Sequence, residues 1–389
     1  METKSWSFKI MRRAVYINQT NCITPLGFDV PSNIEAIVCG ESGIQLHEDV
    51  SLMPNPFYAS IINEEKLNAA FAKISSETNY SRLEKMMILA LEPIIKNSEV
   101  DLNSKTAFIL STTKGNVTAL KNDSPESFHN AHLNVLAQNV AAFFDFKTQP
   151  IVVSNACVSG ILAVSVAKRI IQSELYDNVF IVAGDEVSEF VLSGFNAFQA
   201  MSSLPCKPYS ANRTGVSLGE ATAAVLVSAE LKNAKIKIVG DSSINDANHI
   251  SGPSRTGEGL FRSIQNALNE AQIKPEHIDY ISAHGTATPF NDEMEAIAFN
   301  RLEMGTVPVN SLKGFYGHTL GASGLLETVI SIESVLRDTL FISLGFDEMG
   351  VTQPINVIEK NEKKNIDTFL KTASGFGGCN TAVIFEKVK

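Results

Sequence analysis

Apolar runs of β-type residues alternate with helical patterns along this chain of 389 residues, and the alternation occurs twice. Strands that are apolar throughout are typical of a sheet covered by helices on both faces. The predicted strands of the first half are 105–112, 151–154, 179–184 and 222–228. Those of the second half are 235–241, 278–283, 307–309 and 381–385. The pattern predicts an α/β fold built from two βαβ-rich halves.

The turns between these elements support a duplication. A helix predicted at 159–172 follows a turn that contains Cys157, and a helix predicted at 324–336 follows a turn that contains His318. We place the junction of the halves near residues 232–235. This gives an N-terminal half of residues 11–232, which carries Cys157, and a C-terminal half of residues 233–389.

The composition is that of an acidic globular protein, since 44% of the residues are hydrophobic and the net charge is −10. This charge argues against a nucleic-acid partner, which needs a basic surface. No uncharged apolar run reaches about 18 residues, so we predict no membrane span. The first ten residues lack the apolar core of a signal peptide, and the five cysteines show no pairing pattern. We therefore expect a protein of the reducing cytoplasm.

Cys157 is the first candidate for chemistry. It lies where a predicted strand turns into a predicted helix, so backbone N–H groups and the helix dipole are expected to lower its pKa and make it a nucleophile. Alone, this is a weak signal, because a cysteine at such a turn is more often a packing residue. Two glycine-rich turns strengthen it, since 282–289 contains His284 and 311–322 contains His318.

These three motifs, in this order, resemble those of the β-ketoacyl-acyl carrier protein synthases, the Cys-His-His condensing enzymes of fatty-acid and polyketide assembly. The resemblance extends to the segments Thr-Pro-Leu-Gly at 24–27, Arg-Thr-Gly-Val-Ser-Leu-Gly-Glu at 213–220 and Gly-Phe-Gly-Gly at 375–378. It includes the acidic residues Asp292, Glu295 and Glu327. Together the matches cover most of residues 11 to 389.

The resemblance implies the thiolase fold, with duplicated halves in five layers, and a dimer. It also implies a decarboxylative Claisen condensation that lengthens a fatty-acid, polyene or polyketide chain by two carbons. Cys157 would take the acyl group, and the N–H groups of Cys157 and Phe376 would form its oxyanion hole. His284 and His318 would stabilise the enolate left when malonyl-acyl carrier protein loses carbon dioxide. Such chemistry uses no metal or nucleotide cofactor.

Supporting roles follow from the same resemblance, and each has a structural alternative. Lys313 would organise the histidines or form a buried ion pair, and Glu327 would pair with it or order its helix. Thr286 and Thr288 would bind the pantetheine amides or cap their own turn. Phe376 would be a mobile gate over the acyl pocket or a static core residue.

The implied partner is an acyl carrier protein, which is itself acidic, so a local basic patch is expected. The candidates are Lys114, Lys121, Lys168, Arg169, Arg255 and Arg262, for which scattered surface charge is the alternative. The second subunit of the dimer is either another copy or a related condensing-enzyme subunit.

Some positions depart from the family. Asn155 replaces a usual threonine, Ser210 replaces an aspartate, Gly184-Asp185-Glu186 replaces the commoner Gly-Gly-x-Glu, and the segment 122–147 is short. These departures favour specialised lipid, polyene or polyketide assembly.

Two other functions stay open at this stage. A non-catalytic chain-length-factor-like partner usually lacks the nucleophile that is present here. A chain-initiating synthase has asparagine where His318 stands.

His129 and His132 have a spacing that suits a metal on one helix, but a surface face is the simpler interpretation. His249, which the resemblance places near the mouth of the acyl tunnel, has no assigned role.

Overall fold

The computed structural model describes residues 13–246 and 252–389. Its strands are β1 (Tyr16–Ile23), β2 (Ile44–His47), β3 (Phe57–Ser60), β4 (Thr106–Ser111), β5 (Ile151–Val153), β6 (Asn178–Asp185), β7 (Leu218–Gly219), β8 (Ala221–Ser228), β9 (Ile236–Asn245), β10 (Tyr280–Ser282), β11 (Pro308–Asn310), β12 (Thr339–Leu340), β13 (Asn356–Val357), β14 (Glu362–Lys363), β15 (Thr368–Gly375) and β16 (Cys379–Lys387). Its α-helices are α1 (Val30–Cys39), α2 (Glu64–Phe71), α3 (Arg82–Ser98), α4 (Pro125–Asn130), α5 (Leu133–Phe143), α6 (Ser159–Gln172), α7 (Glu189–Ala197), α8 (Glu258–Ala271), α9 (Pro289–Arg301), α10 (Lys313–Tyr316) and α11 (Ser323–Leu336).

The strand pairing repeats itself in the two halves of the chain. One half has the order β5-β4-β6-β8-β1, with β4 parallel to β5 and β6, and β8 antiparallel to β6 and β1. The other half has the order β11-β10-β15-β16-β9 with the same parallel and antiparallel pairs. The predicted duplication is therefore confirmed. The halves join through β1 and β9, where Ile17 pairs with Ile236, so they share one continuous sheet. The division at residues 232–235 stays a prediction.

Alternating side chains in the strands create the layers. In β6, Ile181 faces the helices α6 and α11 in the centre, whereas Phe180 faces α3 and α5 on the outside. In β16, Val383 faces the same central helices, whereas Ile384 faces α8 and α9. Apolar side chains on both faces explain why these strands read as continuous apolar runs. Each half of the continuous sheet is therefore covered on both faces, and the two halves share the central helices. This gives five layers in the order helices, first half of the sheet, helices, second half of the sheet, helices.

Two glycines bring the central helices together at their N-termini. A Cβ at Gly160 would lie 2.7 Å from the carbonyl oxygen of Gly321, and one at Gly324 would lie 2.8 Å from the nitrogen of Ile161. Because any side chain would force α6 and α11 apart, these glycines fix the distance between the turns that precede the two helices. Those turns carry the predicted functional residues.

The segment 122–147 contains α4, α5 and the turns that connect them. Leu136 and Val140 of α5 are buried against the outer face of the N-terminal half of the sheet. Among the described residues, no helix is both long and apolar enough to cross a membrane.

Candidate active site

The Cys157 turn is a strained elbow. It connects β5 to α6, and the preceding Ala156 has a φ of 42°, in the left-handed region that non-glycine residues rarely adopt. Ser159 holds the elbow in place, because its Oγ accepts a 2.8 Å hydrogen bond from the Asn155 nitrogen and donates to the Ala156 carbonyl at 2.7 Å. Within the described part of the chain, no side chain caps the start of α6. The elbow directs the positive end of the helix towards the thiol.

The His318 turn is fixed from outside. Gly317 has a φ of 67°, and a Cβ there would lie 2.6 Å from the carbonyl oxygen of Leu218. The His318 nitrogen donates to the Ser217 carbonyl at 2.7 Å, and the His318 carbonyl accepts from the Gly219 nitrogen at 3.0 Å. The segment 213–220, recognised in the sequence as a motif, is thus the support against which this histidine is placed.

The His284 turn is held by a buried carboxylate. Glu295 in α9 accepts hydrogen bonds from the backbone nitrogens of His284 and Gly285 at 2.8 and 2.7 Å. Its neighbour Asp292 accepts from the nitrogens of Thr286 and Tyr209 at 3.0 and 2.8 Å. The acidic residues after the first histidine motif therefore shape the backbone around His284.

The three side chains meet at one point. His318 Nε2 lies 3.1 Å from Cys157 Sγ, and the imidazole rings of His284 and His318 are 5.2 Å apart and nearly perpendicular. The thiol sulfur and one nitrogen of each ring all lie within 4.8 Å of one another. The sequence motifs, separated by up to 161 residues, thus form one constellation.

The direction of the Cys157 pKa differs from the sequence-based expectation. Burial raises the pKa of the thiol to about 12, and the nearby Cys379 adds to the rise. The Lys313 ammonium and the backbone N–H of Phe376 act in the opposite direction but do not outweigh burial. The expected lowering of this pKa is therefore wrong for the protein without a bound substrate, since only 8% of Cys157 is exposed to water. A thiol of this kind needs a base.

Both imidazoles are uncharged at neutral pH. Burial holds the pKa of His318 well below its ordinary value, with the positive charge of Lys313 as the second cause. The pKa of His284 is also well below its usual range, first because of burial and then because of Lys313, His318 and Lys371. Neutral imidazoles can both accept and donate a proton.

Lys313 selects the tautomer of His284. Its Nζ lies 3.3 Å from His284 Nδ1 and donates to the His284 carbonyl oxygen. An ammonium group has donors but no acceptor, so Nδ1 must accept and Nε2 must carry the proton. His284 thereby offers an N–H group at Nε2. Both expected features of Lys313 are present, since it also forms a buried ion pair with Glu327 at 2.7 Å.

Glu327 has a second cationic partner that the sequence interpretation missed. Lys371 in β15 is fully buried, and its Nζ lies 2.7 Å from Glu327 Oε2. A lysine within the otherwise uncharged strand sequence TFLKTASG was the available signal, because buried lysines are rare unless they are paired. We call these three residues the Lys313–Glu327–Lys371 cluster. The cluster contacts His284 through Lys313, whose Nζ lies next to His284 Nδ1.

The site opens into a cleft of about 460 Å³. Cys157, His284 and His318 line its inner end. Phe376 also lines the cleft, and its ring is stacked on Phe195 at 5.8 Å and edge-on to Phe198 at 5.5 Å. With 36% of its surface exposed, Phe376 is not a static core residue. Phe195 and Phe198 in and beside α7 were not identified from the sequence, where aromatic residues in a helix carry no specific signal.

Thr286 and Thr288 line the cleft and hydrogen-bond to each other through their hydroxyls at 2.8 Å. Thr288 is the residue before α9, yet its side chain makes no capping hydrogen bond. Capping of α9 by Thr288 is thus not observed, and the binding role of the two threonines stays a prediction.

The predicted basic patch is not continuous. Lys168 is 1% exposed and pairs with Asp241 and Glu270 in the interior, so its inclusion was wrong. Arg169, Lys121 and Arg262 are on the surface but pair with Asp241, Glu189 and Glu258, respectively. Lys114 and Arg255 are exposed, and Lys114 Nζ lies 5.8 Å from the Phe190 ring centroid.

The remaining histidine predictions have simple outcomes. His129 lies in the last turn of α4 and His132 precedes α5, so the two do not lie on one helix, and both are exposed. His249 lies outside the described residues.

The departures have local structural roles. Ser210 Oγ donates to the Gly345 carbonyl at 3.3 Å and accepts from the Asp347 nitrogen at 3.1 Å, where a carboxylate was expected. Asp185 accepts from the nitrogens of Lys114 and Gly321 at 3.0 and 2.8 Å. Asp185 thus connects the loop after β4 to the turn that follows His318.

Comparison with known proteins gives a consistent result. Residues 12–233 match the family described as "Beta-ketoacyl synthase, N-terminal domain", and residues 234–347 match "Beta-ketoacyl synthase, C-terminal domain". The chain is 28% identical to "3-oxoacyl-[acyl-carrier-protein] synthase 2" of Coxiella burnetii, with 97% of this chain and 99% of that protein covered. It is 27% identical to a putative mitochondrial 3-oxoacyl-[acyl-carrier-protein] synthase of Schizosaccharomyces pombe over the same shares.

Solved structures show the same fold. A β-ketoacyl synthase from Burkholderia phymatum superimposes with a TM-score of 0.86 at 23% identity, covering 97% of this chain and 100% of that one. The ketosynthase ApeO of Xenorhabdus doucetiae, solved in complex with its chain length factor ApeC, gives a TM-score of 0.84 at 24% identity and covers 99% and 100%. Two family domains in tandem, spanning 12–347, leave one conclusion: the chain belongs to the β-ketoacyl synthase family.

Proposed function

We propose that this protein is an elongating 3-oxoacyl-acyl carrier protein synthase. It transfers an acyl group from a carrier thioester to Cys157 and condenses it with the enolate formed from malonyl-acyl carrier protein. The product chain is longer by two carbons. The observation that carries the proposal is the meeting of Cys157, His318 and His284 at the inner end of one cleft.

Acyl transfer begins with the thiol. His318 Nε2, 3.1 Å from Sγ, takes the proton as Cys157 attacks the acyl thioester, and the carrier's pantetheine leaves as a thiol. The Ser323 hydroxyl, 3.0 Å from His318 Nδ1, orients the ring. The backbone N–H of Phe376, which is directed at the sulfur, stabilises the oxyanion together with the Cys157 N–H.

Decarboxylation follows on the other side of the site. Loss of carbon dioxide from a malonyl thioester leaves an enolate oxygen that needs hydrogen-bond donors where the charge develops. His284 offers Nε2–H for this purpose because Lys313 occupies its Nδ1. The enolate carbon then attacks the acyl carbonyl on Cys157, and the thiolate leaves. This sequence of steps requires no metal or nucleotide, because the carrier's phosphopantetheine delivers both substrates.

The proposal includes partners and location. An acyl carrier protein docks at the mouth of the cleft, and Lys114 is an exposed positive charge that could contact it. The strand β5 ends the sheet, and among the described strands only β4 pairs with it. Its outer edge therefore suits a second subunit, either another copy or a chain-length-factor-like protein. The proposed location of the protein is the cytoplasm.

Intact-mass analysis tests the proposal. The protein is incubated with a panel of acyl-acyl carrier proteins that differ in chain length and unsaturation, and then with malonyl-acyl carrier protein. We expect the mass of one acyl group on the wild type and none on Cys157→Ala, followed by a 3-oxoacyl product on the carrier. Absence of acylation with every chain would contradict the enzymatic function and favour the chain-length-factor-like role.

A further inference from the structure

The Lys313–Glu327–Lys371 cluster contains one more cation than a simple ion pair requires. All three side chains are almost completely buried. Burying a charge is costly unless it is compensated, and two ammonium groups share a single carboxylate here. A lone Lys313–Glu327 pair would be neutral, so Lys371 gives the cluster a net positive charge. Its presence needs a reason other than the stability of the pair.

Lys371 has contacts that fix three separate elements. Its Nζ donates to the carbonyl oxygens of Ser282 at 3.1 Å, Ala283 at 3.3 Å and Thr372 at 2.6 Å, in addition to the ion pair with Glu327. Ser282 and Ala283 are the last two residues before His284. β10 and β15 are parallel neighbours, and Ser282 lies opposite Lys371. The lysine side chain therefore hydrogen-bonds to the carbonyl groups at the C-terminal end of β10.

The carboxylate of Glu327 is divided between the lysines. Oε1 lies 2.7 Å from Lys313 and Oε2 lies 2.7 Å from Lys371, so neither lysine can take both oxygens. Held in this way, Lys313 keeps donors for His284 Nδ1 and for the His284 carbonyl. The geometry of His284 therefore depends on Lys371 through two routes, the end of β10 and the orientation of Glu327.

We propose that Lys371 is a positioning residue for the decarboxylation half-reaction. It holds Glu327 and the β10 terminus so that Lys313 stays on His284 Nδ1, which leaves Nε2–H free to donate to the enolate oxygen. The groups that face His284 are Cys157, His318, Lys313, Lys371, Glu327 and, beneath its backbone, Glu295. Burial is the main reason that the pKa of His284 is lowered, and Lys371 adds to this effect after Lys313 and His318. The inference rests on the proposed function, since it assigns a role within that reaction.

The test separates the two half-reactions. Lys371→Met keeps the length of the side chain and removes its charge and donors. Acylation of Cys157 should be nearly unchanged, because the Lys371 side chain contacts Ser282, Ala283, Thr372 and Glu327 and so acts on the His284 side of the site. Carbon dioxide release from malonyl-acyl carrier protein should fall about a hundredfold, as misplaced catalytic groups often cause. The acidic limb of the decarboxylation pH profile should move to higher pH, since an imidazole without the second cation is protonated more easily.

Lys168→Met is the matched control. Lys168 is equally buried and also ion-paired, but it contacts Asp241 and Glu270 and not His284. It should change thermal stability without changing the ratio of decarboxylation to loading. If Lys371→Met does not fold, Lys371→Gln, which keeps two N–H donors, is measured in its place.

The outcomes are distinguishable. An equal loss of loading and decarboxylation in the Lys371 variant, or an unaltered pH limb, would overturn the inference and leave Lys371 a structural residue. A wild-type protein that neither loads nor decarboxylates would overturn the proposed function itself. A selective loss of decarboxylation with the upward pH shift supports the positioning role.

Discussion

His318 Nε2 lies within hydrogen-bonding distance, 3.1 Å, of Cys157 Sγ. Two opposing effects act on the thiol, since the open N-terminus of α6 favours the thiolate while burial raises its pKa to about 12. Burial dominates in the free protein. The thiol and the imidazole are therefore both neutral, and loading requires proton transfer from one to the other.

This relationship predicts a difference between the two histidines. His318→Ala should lose loading by about a hundredfold, the usual size of general-base catalysis, and should lose condensation with it. His284→Ala should load normally but fail to release carbon dioxide from malonyl-acyl carrier protein. Rapid-quench acylation and carbon dioxide release, measured on the same preparations, give both rates. If His318→Ala loads as fast as the wild type, the helix terminus alone activates the thiol.

The second prediction concerns the nucleophile. Cys157→Ala should accept no acyl group, because it removes the only cysteine that touches His318 in the described part of the chain. Cys379→Ala is a strict control, since Cys379 lies near enough to influence the pKa of Cys157 but its own Sγ contacts the Phe376 carbonyl at 3.4 Å. Peptide mapping after loading identifies the acylated residue. Acyl mass on Cys157→Ala would contradict the assignment.

The sequence predicted the duplicated fold and the main constellation because both depend on strong local patterns. Apolar strands alternate with helices, and the functional turns carry glycines that only a tight backbone requires, as at Gly317. The strands β1 and β15 were missed because each mixes polar residues into the apolar run. In β15 the charged residue is Lys371, whose charge is compensated by Glu327 on a helix from another part of the chain.

The pKa of Cys157 could not be predicted from local sequence for the same reason. Burial of the thiol results from the glycine loop 375–378 and the His318 turn, which are distant in the chain and fold over it. Likewise, the sequence of α6 gives no sign that Lys168 is buried. Its side chain lies in the interior, where it forms an ion pair with Asp241 of β9. Motifs predict which groups meet, whereas the charge state of each group depends on tertiary packing.

A third prediction links a buried carboxylate to pH. Burial raises the pKa of Glu186 to about 7, with nearby Glu220 also raising it and a hydrogen bond from Thr118 lowering it. An unfolded glutamate titrates near a pKa of about 4.3, so between these values the folded state binds the proton more tightly. The contribution of Glu186 to stability therefore falls as the pH rises through this window.

Glu186→Gln should make the protein more stable than the wild type at pH 8 and flatten the decline in stability between pH 5 and pH 8. Glutamine keeps an oxygen acceptor for Thr118. Urea denaturation across this range provides the measurement, with the exposed Glu65→Gln as the control. Parallel pH profiles for Glu186→Gln and the wild type would show that Glu186 is not protonated in the folded state.

The fourth prediction concerns pantetheine binding. Thr286 and Thr288 line the cleft and their hydroxyls hydrogen-bond to each other, so Thr288→Val should raise KM for both carrier-bound substrates several-fold while leaving kcat almost unchanged. Valine keeps the shape of threonine, and the side chain of Thr288 makes no capping bond with α9 that could be lost. Steady-state kinetics on malonyl-acyl carrier protein give the two constants. A fall in kcat without a change in KM would contradict a binding role.

The last prediction treats Phe376 as a gate. Its ring packs against Phe195 and Phe198 in the cleft that Cys157 also lines, and it is followed by Gly377 and Gly378, whose φ angles are 85° and 78°. A fully buried phenylalanine contributes roughly 1.5–3 kcal/mol, so the partly exposed Phe376 should cost less than this when replaced by alanine. Phe376→Ala should also release carbon dioxide from malonyl-acyl carrier protein before Cys157 is acylated, since nothing then excludes the second substrate.

Gly377→Ala tests the same gate from the backbone. A Cβ at Gly377 has no neighbour within 4 Å, so the substitution acts only through the positive φ, which alanine adopts at a cost. It should alter the movement of the loop without altering the cleft, and it should slow condensation while the ring of Phe376 is still present. Decarboxylation by the unacylated protein decides between the roles. A rate in Phe376→Ala equal to that of the wild type would mean that Phe376 packs against Phe195 and does not control the order in which the substrates enter.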